Sequence, residues 1–308
     1  MSIYQVSKFA ENPEPLFSFR RFLENTANLG LVLPFGAASV TSVVSLAHTG
    51  EISLPLVSSA FLCVYSSYLI DHLADVGRLD GNLESTRTKT LSRKSLFTAF
   101  GVAAFVAAAG IALVFSGLEA FLLLLCFPLA VALYGTSLFG TLAGELLPYR
   151  RLKDIPGIKA FYTAFFWGFL MLYASRFVDA QDLRQTVFFF VYMMLSDFVN
   201  TVFCDFKDLA RDRVEGVKTL PLLLGVARTS KLIQAVNGIA LMVLAVSVHL
   251  QWIPAWMLAL APVHLYVRAI VDHGQKLVAA DGNPGDAAMD AEFLLWLPLV
   301  LGGLALGL

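Results

Sequence analysis

Residues 184–221 read RQTVFFFVYMMLSDFVNTVFCDFKDLARDRVEGVKTLP, a predominantly apolar run that passes straight into a cluster of acids. A helix needs about 20 apolar residues to cross roughly 30 Å of hydrocarbon. The stretch from 184 to 205 meets that length, and its far end carries Asp205, Asp208 and Asp212. Working outward, the chain divides into nine such spans, near 27–48, 53–76, 95–116, 118–140, 158–177, 184–205, 230–249, 253–272 and 289–308. Lipid offers no partner to backbone N–H and C=O groups, so spans of this kind close their hydrogen bonds within helices. The fold class expected is all-α, a polytopic membrane bundle of nine transmembrane helices. Composition agrees: of 308 residues, 57% are hydrophobic and 15% charged, and mean hydropathy is +0.72. These values fall outside the range of soluble domains. The net charge of −1 implies no nucleic-acid partner.

Basic residues set the expected orientation. Counted loop by loop, 20 of the 22 lysines and arginines fall on one side of the nine-span arrangement, and only Arg176 and Arg184 fall on the other. The amino terminus and the acidic loops are thus expected in the cytoplasm. Residues 1–26 mix Glu11, Glu14, Arg20, Arg21 and Glu24 with aromatics and lack a cleavable signal pattern, which predicts an interfacial arm. Residues 27–308 then form a single transmembrane domain, with cap loops near 77–94 and 206–229. Cys63, Cys126 and Cys204 fall within spans and show no paired ligand spacing, so small buried side chains are expected rather than disulfides or zinc ligands.

Two acidic stretches leave the bilayer on one side. The first carries Asp71, Asp75 and Asp80; if span two continues as helix, Asp71 and Asp75 stand one turn apart on one face. The second carries Asp205, Asp208 and Asp212, whose offsets of three and four place them on a single helical stripe. Two carboxylates about 6 Å apart repel by roughly 3 kcal/mol at an effective dielectric near 20, so a cation is expected to compensate them. Mg²⁺ suits the position, because it takes oxygen ligands and bridges one or two carboxylates to substrate phosphates. Arg87, Lys153, Arg213 and Lys218 occupy the same layer and can meet the remaining phosphate oxygens. The ligand implied has a diphosphate head and an apolar body. Asp197 and Asn200 lie deeper in span six, where contact with metal, substrate or water competes with plain interhelical hydrogen bonding. Residues 281–290 read as an exposed turn with no role.

These residues resemble the UbiA superfamily of intramembrane prenyltransferases. The stretch from Asp208 through Asp212 to Gly216, Lys218, Thr219, Leu220 and Pro221 is similar to that family's second aspartate motif. Asp71 to Asp80 with Arg87 resembles the first motif, and Arg150 to Lys153 the basic loop between them. The resemblance implies two pseudo-repeated halves around a central cavity, with Asp71, Asp75, Asp80, Asp205, Asp208 and Asp212 as catalytic Mg²⁺ ligands. Arg87, Lys153, Lys218 and Asn200 become contacts to diphosphate and substrate. Two departures stand out, since Asp71 and Asp205 occupy places where the family commonly has asparagine.

The activity implied is Mg²⁺-dependent ionisation of a prenyl diphosphate and transfer of the prenyl group to an aromatic or lipid-like acceptor. A terpene cyclase of the same fold is the alternative, and a transporter or lipid-binding membrane protein is a third. An allylic cation requires a dry pocket. Aromatics are dense in spans five and six, at Phe161, Tyr162, Phe165, Phe166 and Trp167, then Phe188, Phe189, Phe190 and Tyr192.

Overall fold

The computed structural model describes residues 29–75, 94–135, 140–141, 144, 149 and 151–308, apart from the side chains of residues 72, 74, 75, 153 and 215. The described residues are helical, with no strand among them. In chain order the helices are α1 (Val32–Thr49), α2 (Leu54–Asp75), α3 (Lys94–Gly135), α4 (Ile158–Phe177) and α5 (Leu183–Cys204). They are followed by α6 (Leu209–Glu215), α7 (Leu220–Leu224), α8 (Val226–His249), α9 (Ala261–Ala279), α10 (Ala287–Leu294) and α11 (Trp296–Ala305). Short 3₁₀ turns at Leu152–Asp154 and Ala255–Leu260 precede α4 and α9.

Seven helical segments among the described residues are long and apolar enough to cross a membrane. The expected count of nine is therefore not reached by this measure. Two expected spans, 95–116 and 118–140, fall on the single segment α3, which breaks at Gly117. There φ is 81° and ψ −169°, a conformation open essentially to glycine alone. The span expected at 158–177 forms as α4 but is not among the seven.

Packing closes these helices into a ring: α1 lies against α2, α2 against α3, α3 against α4, α4 against α5, α5 against α8, α8 against α9, and α10 returns to α1. The outer surface is apolar. Val106, Val114, Phe115, Leu118, Met242 and Leu265 are all exposed, as lipid-facing side chains of an integral membrane protein should be. Several polar groups inside are satisfied within the bundle, as an apolar surround favours. Thr41 and Ser42 donate to the Ala37 and Ala38 carbonyls at 2.7 Å each. Ser59 Oγ joins three helices, pairing with the Tyr173 hydroxyl at 2.6 Å and donating to the Ala108 carbonyl at 3.0 Å.

The return of α10 to α1 is close. A Cβ at Gly36 would sit 2.9 Å from the Phe293 Cβ, nearer than carbon atoms pack. Ser39 Oγ accepts from the Leu297 N–H at 3.0 Å, binding α1 to the junction of α10 and α11. The three cysteines are free thiols; Cys63 is buried as expected, whereas Cys126 and Cys204 are partly exposed. The amino-terminal arm and the first cap loop lie outside the described residues. The second cap region, 206–229, folds as α6 and α7, punctuated by Gly216 at φ 71° and Gly225 at φ 80°.

Candidate active site

The ring encloses a cavity of about 360 Å³. Its lining follows helical periodicity. On α4 it comprises Lys159, Tyr162, Thr163, Phe166, Trp167 and Leu170, one face running about 16 Å at roughly 1.5 Å rise per residue. On α5 it comprises Asp197, Asn200, Thr201 and Cys204; α2 adds Val64, Ser67, Tyr68 and Asp71, and α3 adds Phe127, Ala130, Val131 and Tyr134.

The structure brings acids from both expected motifs to this one cavity. Asp71 arrives from α2, and Asp208 and Asp212 from the start of α6. As expected, α2 stays helical through Asp75. The Asp75 side chain, Asp80 and Arg87 lie outside the described residues, as does the Lys153 side chain, carried on the 3₁₀ turn before α4.

The second motif does not form the continuous stripe expected of it. Helix α5 ends at Cys204 and α6 begins at Leu209, so the intervening turn shifts the phase. The turn is held by the Asp208 N–H donating to the Asp205 carbonyl at 3.2 Å and the Asp212 N–H donating to the Asp208 carbonyl at 2.8 Å. Asp208 and Asp212 therefore line the cavity, whereas Asp205 turns aside. Asp205 is 1% exposed, does not line the cavity, and accepts from Lys159 Nζ at 2.5 Å. Asn200 lines the cavity and donates through Nδ2 to Glu292 Oε1 at 3.2 Å. Lys218 and Arg213 are exposed and do not line the cavity. The Lys218 carbonyl instead accepts from the Gly157 N–H at 2.8 Å, which pins the start of α4 to the loop between α6 and α7.

Among the described side chains, three basic residues that were not singled out from the sequence line the cavity: Lys159, Lys207 and Arg211. Lys207 forms an ion pair with Asp286. All three stood in the count of basic residues, but spacing gave no sign of which would point inward. Residues 281–290 require a correction, because they are not merely an exposed turn. Asp286 and Asp290 line the cavity, and Asp290 is 5% exposed in the first turn of α10. The acids of this segment are folded inward by the packing of α10 on α1. Aromatic placement divides as well: Tyr162, Phe166 and Trp167 face the cavity, while Phe161 and Phe165 are about half exposed on the outside. Phe188, Phe189 and Tyr192 belong to the buried core.

Asp212 carries the clearest electrostatic signature. Its Oδ2 is buried and makes no hydrogen bond of normal geometry, the nearby Thr219 hydroxyl only easing the burial of its charge. Burial pushes its carboxyl up to about 6 against the pull of Lys159, with Asp205 and Asp208 pushing the same way as burial. A buried carboxylate oxygen lacking a donor suits a cation. Among the described residues no three His, Cys, Asp or Glu side chains converge as a ready-made metal cage. Mg²⁺ is commonly held by one or two carboxylates with waters and substrate phosphates, so the acids present fit such an ion.

A closed ring of apolar helices around a cavity with acids and bases at one end and aromatics at the other defines an intramembrane binding or catalytic bundle. The UbiA prenyltransferase family profile matches residues 31–280, and the chain belongs to that family. Among curated proteins none matches the chain significantly in sequence. The fold is shared with a UbiA homolog from Archaeoglobus fulgidus bound to DMAPP and Mg²⁺, at TM-score 0.58 and 13% identity over 94% of this chain and 99% of that one. A UbiA homolog from Aeropyrum pernix K1 in its apo form gives 0.57 and 15% over 90% and 98%. A digeranylgeranylglyceryl phosphate synthase gives 0.53 and 16% over 91% and 96%.

Proposed function

We propose that this protein is a Mg²⁺-dependent prenyltransferase that ionises a prenyl diphosphate inside the membrane. The observation that carries the proposal is the orphaned Asp212 Oδ2, buried in a cavity that Asp71 and Asp208 also line. Family membership supports it, as does the shared fold of the Archaeoglobus fulgidus homologs bound to DMAPP or GPP with Mg²⁺. In this reading Asp71, Asp208 and Asp212 hold Mg²⁺ on the diphosphate, joined by Asp75 and Asp80 of the first motif. The ion supplies positive charge that stabilises the departing diphosphate. Lys159, Lys207 and Arg211 add fixed positive charge around the same group, which favours the state in which the carbon–oxygen bond is broken. Asp205 holds Lys159 in place rather than touching metal. Arg87 and Lys153 remain diphosphate contacts in this proposal, and Lys218 acts through its backbone.

The apolar part of the cavity receives the prenyl chain. Phe127, Phe166 and Trp167 exclude water, and a ring face near the cation stabilises it by about 0.5–2 kcal/mol. The basic-residue count supports an acid-lined mouth on the cytoplasmic side.

The test is to incubate purified protein with prenyl diphosphates of several lengths, with and without Mg²⁺ and acceptors, and to follow diphosphate release and product mass. Release that requires Mg²⁺, with an adduct of the two substrates, is the expected result. A hydrocarbon formed without acceptor would identify a cyclase. Absence of turnover under every condition would point to transport or binding.

A further inference from the structure

The cavity has two chemically different walls. Val64, Phe127, Phe166 and Leu170 offer hydrocarbon and aromatic surface, whereas α5 and α10 contribute Asp197, Asn200, Thr201 and Asp290. The polar wall is built from buried groups: Asp197 is 1% exposed, Asp290 5% and Glu292, behind it, 2%. Its side chains are held in order. Thr163 Oγ1 donates to Thr201 Oγ1 at 2.9 Å, Thr201 Oγ1 donates to Asp197 Oδ2 at 3.1 Å, and Asn200 bridges to Glu292. Asp290 lies at the level of Cys204, whose Sγ is 3.9 Å from Asp290 Oδ1, near the turn that delivers Asp208. Asp212, which the diphosphate reading uses, lines the same cavity from α6, outside this wall. Asp197, Asn200 and Thr201 lie within the matched residues 31–280, whereas Asp290 and Glu292 lie beyond them, so the wall joins the family region to the carboxyl-terminal helices.

Burying acids and amides around an allylic cation is chemically costly if the cation must survive to cyclise, because every exposed lone pair is a trap for it. The same groups suit a second substrate that donates hydrogen bonds. We infer that the α5–α10 wall is the acceptor site, that its ligand presents a hydroxyl and no carboxylate at the buried end, and that Asp290 takes the hydroxyl proton. This rests on the prenyl-diphosphate reading given above. In the step, the bond between C1 and the diphosphate oxygen breaks with its electron pair leaving on diphosphate. The acceptor hydroxyl oxygen bonds to C1, and the hydroxyl proton passes to the Asp290 carboxylate, which balances the reaction. Asp197 and Thr201 hold the acceptor, while Asn200 and Glu292 are positioning residues. A carboxylate in the same place would face Asp290 as a like charge and would be buried against Asp197 and Thr201 with no cation on this wall to pair it, and the wall selects against it.

The test uses full-length protein with Mg²⁺, a prenyl diphosphate, and either 4-hydroxybenzyl alcohol, a long-chain glycerol monoether or 4-hydroxybenzoate. Adducts are expected with the uncharged hydroxyl compounds and at least about tenfold less with the carboxylate. Asp290→Asn is expected to lower kcat for adduct formation by about 100-fold, the range of a lost general base. The KM for prenyl diphosphate should stay unchanged, and Asp290→Glu should recover part of the rate. The wild-type acceptor series decides the matter even if Asp290→Asn fails to fold. Diphosphate release accompanied only by hydrocarbon, or by preference for 4-hydroxybenzoate, would overturn the acceptor site while leaving diphosphate ionisation intact. So would full adduct formation by folded Asp290→Asn. Absence of Mg²⁺-dependent release would remove both readings together.

Discussion

Lys159 Nζ lies 2.5 Å from Asp205 Oδ1, joining the first turn of α4 to the end of α5 immediately beside the cavity. Asp205 is almost fully buried and Lys159 about a quarter exposed, so the pair is a framework contact that also presents a cation to the site. Removing one partner leaves a buried charge uncompensated, at a cost of about 3–5 kcal/mol.

Lys159→Met should therefore lower the thermal midpoint in detergent strongly. Adding Asp205→Leu should restore much of the stability, since an apolar pair replaces the ions, but not the activity, since the cation is lost. A double variant as unstable as Lys159→Met alone would show that the pair is not what holds these helices.

Lys207 lines the cavity, whereas Lys218 is exposed and does not. Lys207→Met removes a cation that lines the cavity and is expected to reduce diphosphate release by about tenfold to a hundredfold, on the scale of one lost transition-state contact. Lys218→Met changes an exposed side chain whose carbonyl makes the structural contact, so activity should stay within about twofold, as for a surface change. Equal losses in the two variants would count against the cavity-based assignment.

Asp212 makes a pH prediction in two parts. Its carboxyl titrates near 6 in the folded protein, above its ordinary value of 3.8, chiefly through burial. Protons then compete with Mg²⁺, so metal affinity should fall as pH drops below about 6 in a titration of the ligand-free protein. The stability effect runs the other way. Between 3.8 and about 6 the folded state binds this proton more strongly than the unfolded state does, so the contribution is full below 3.8 and is lost as pH rises through 6. Asp212→Asn should flatten both dependences.

Phe166 and Phe161 sit five residues apart on α4 and face opposite environments. Phe166→Ala opens the cavity wall and should raise the KM for prenyl diphosphate, with a stability cost below the roughly 3–5 kcal/mol of a fully buried phenylalanine, because its ring is partly exposed to the cavity. Phe161 is 56% exposed to the lipid side, and Phe161→Ala should leave turnover within about twofold. Kinetics of the two variants in one lipid mixture checks the contrast.

Length and hydropathy made the membrane bundle legible, because crossing hydrocarbon imposes a length that few soluble helices share. The acids of Asp208 and Asp212 were legible for a related reason: charges at the end of an apolar run need compensation. Two features were not. The fate of Asp205 depends on a turn of four residues between α5 and α6, and such a break rotates everything before it relative to everything after. Asp290 and Glu292 were hidden in what hydropathy treats as loop and span, and their burial follows from the packing of α10 against α1 and α5. The basic side chains escaped for want of any periodic signal, since long flexible cations at helix ends reach inward or outward with equal ease.

The central claim is that Asp212 and the acids beside it hold Mg²⁺ on a prenyl diphosphate. Its most direct test is diphosphate release by wild type and Asp212→Asn across a Mg²⁺ titration, with thermal midpoints measured alongside. Wild-type release should require Mg²⁺, and the variant should fold with an unchanged or higher midpoint while losing at least about 100-fold in rate. Undiminished, Mg²⁺-dependent release by a folded Asp212→Asn protein would contradict the account.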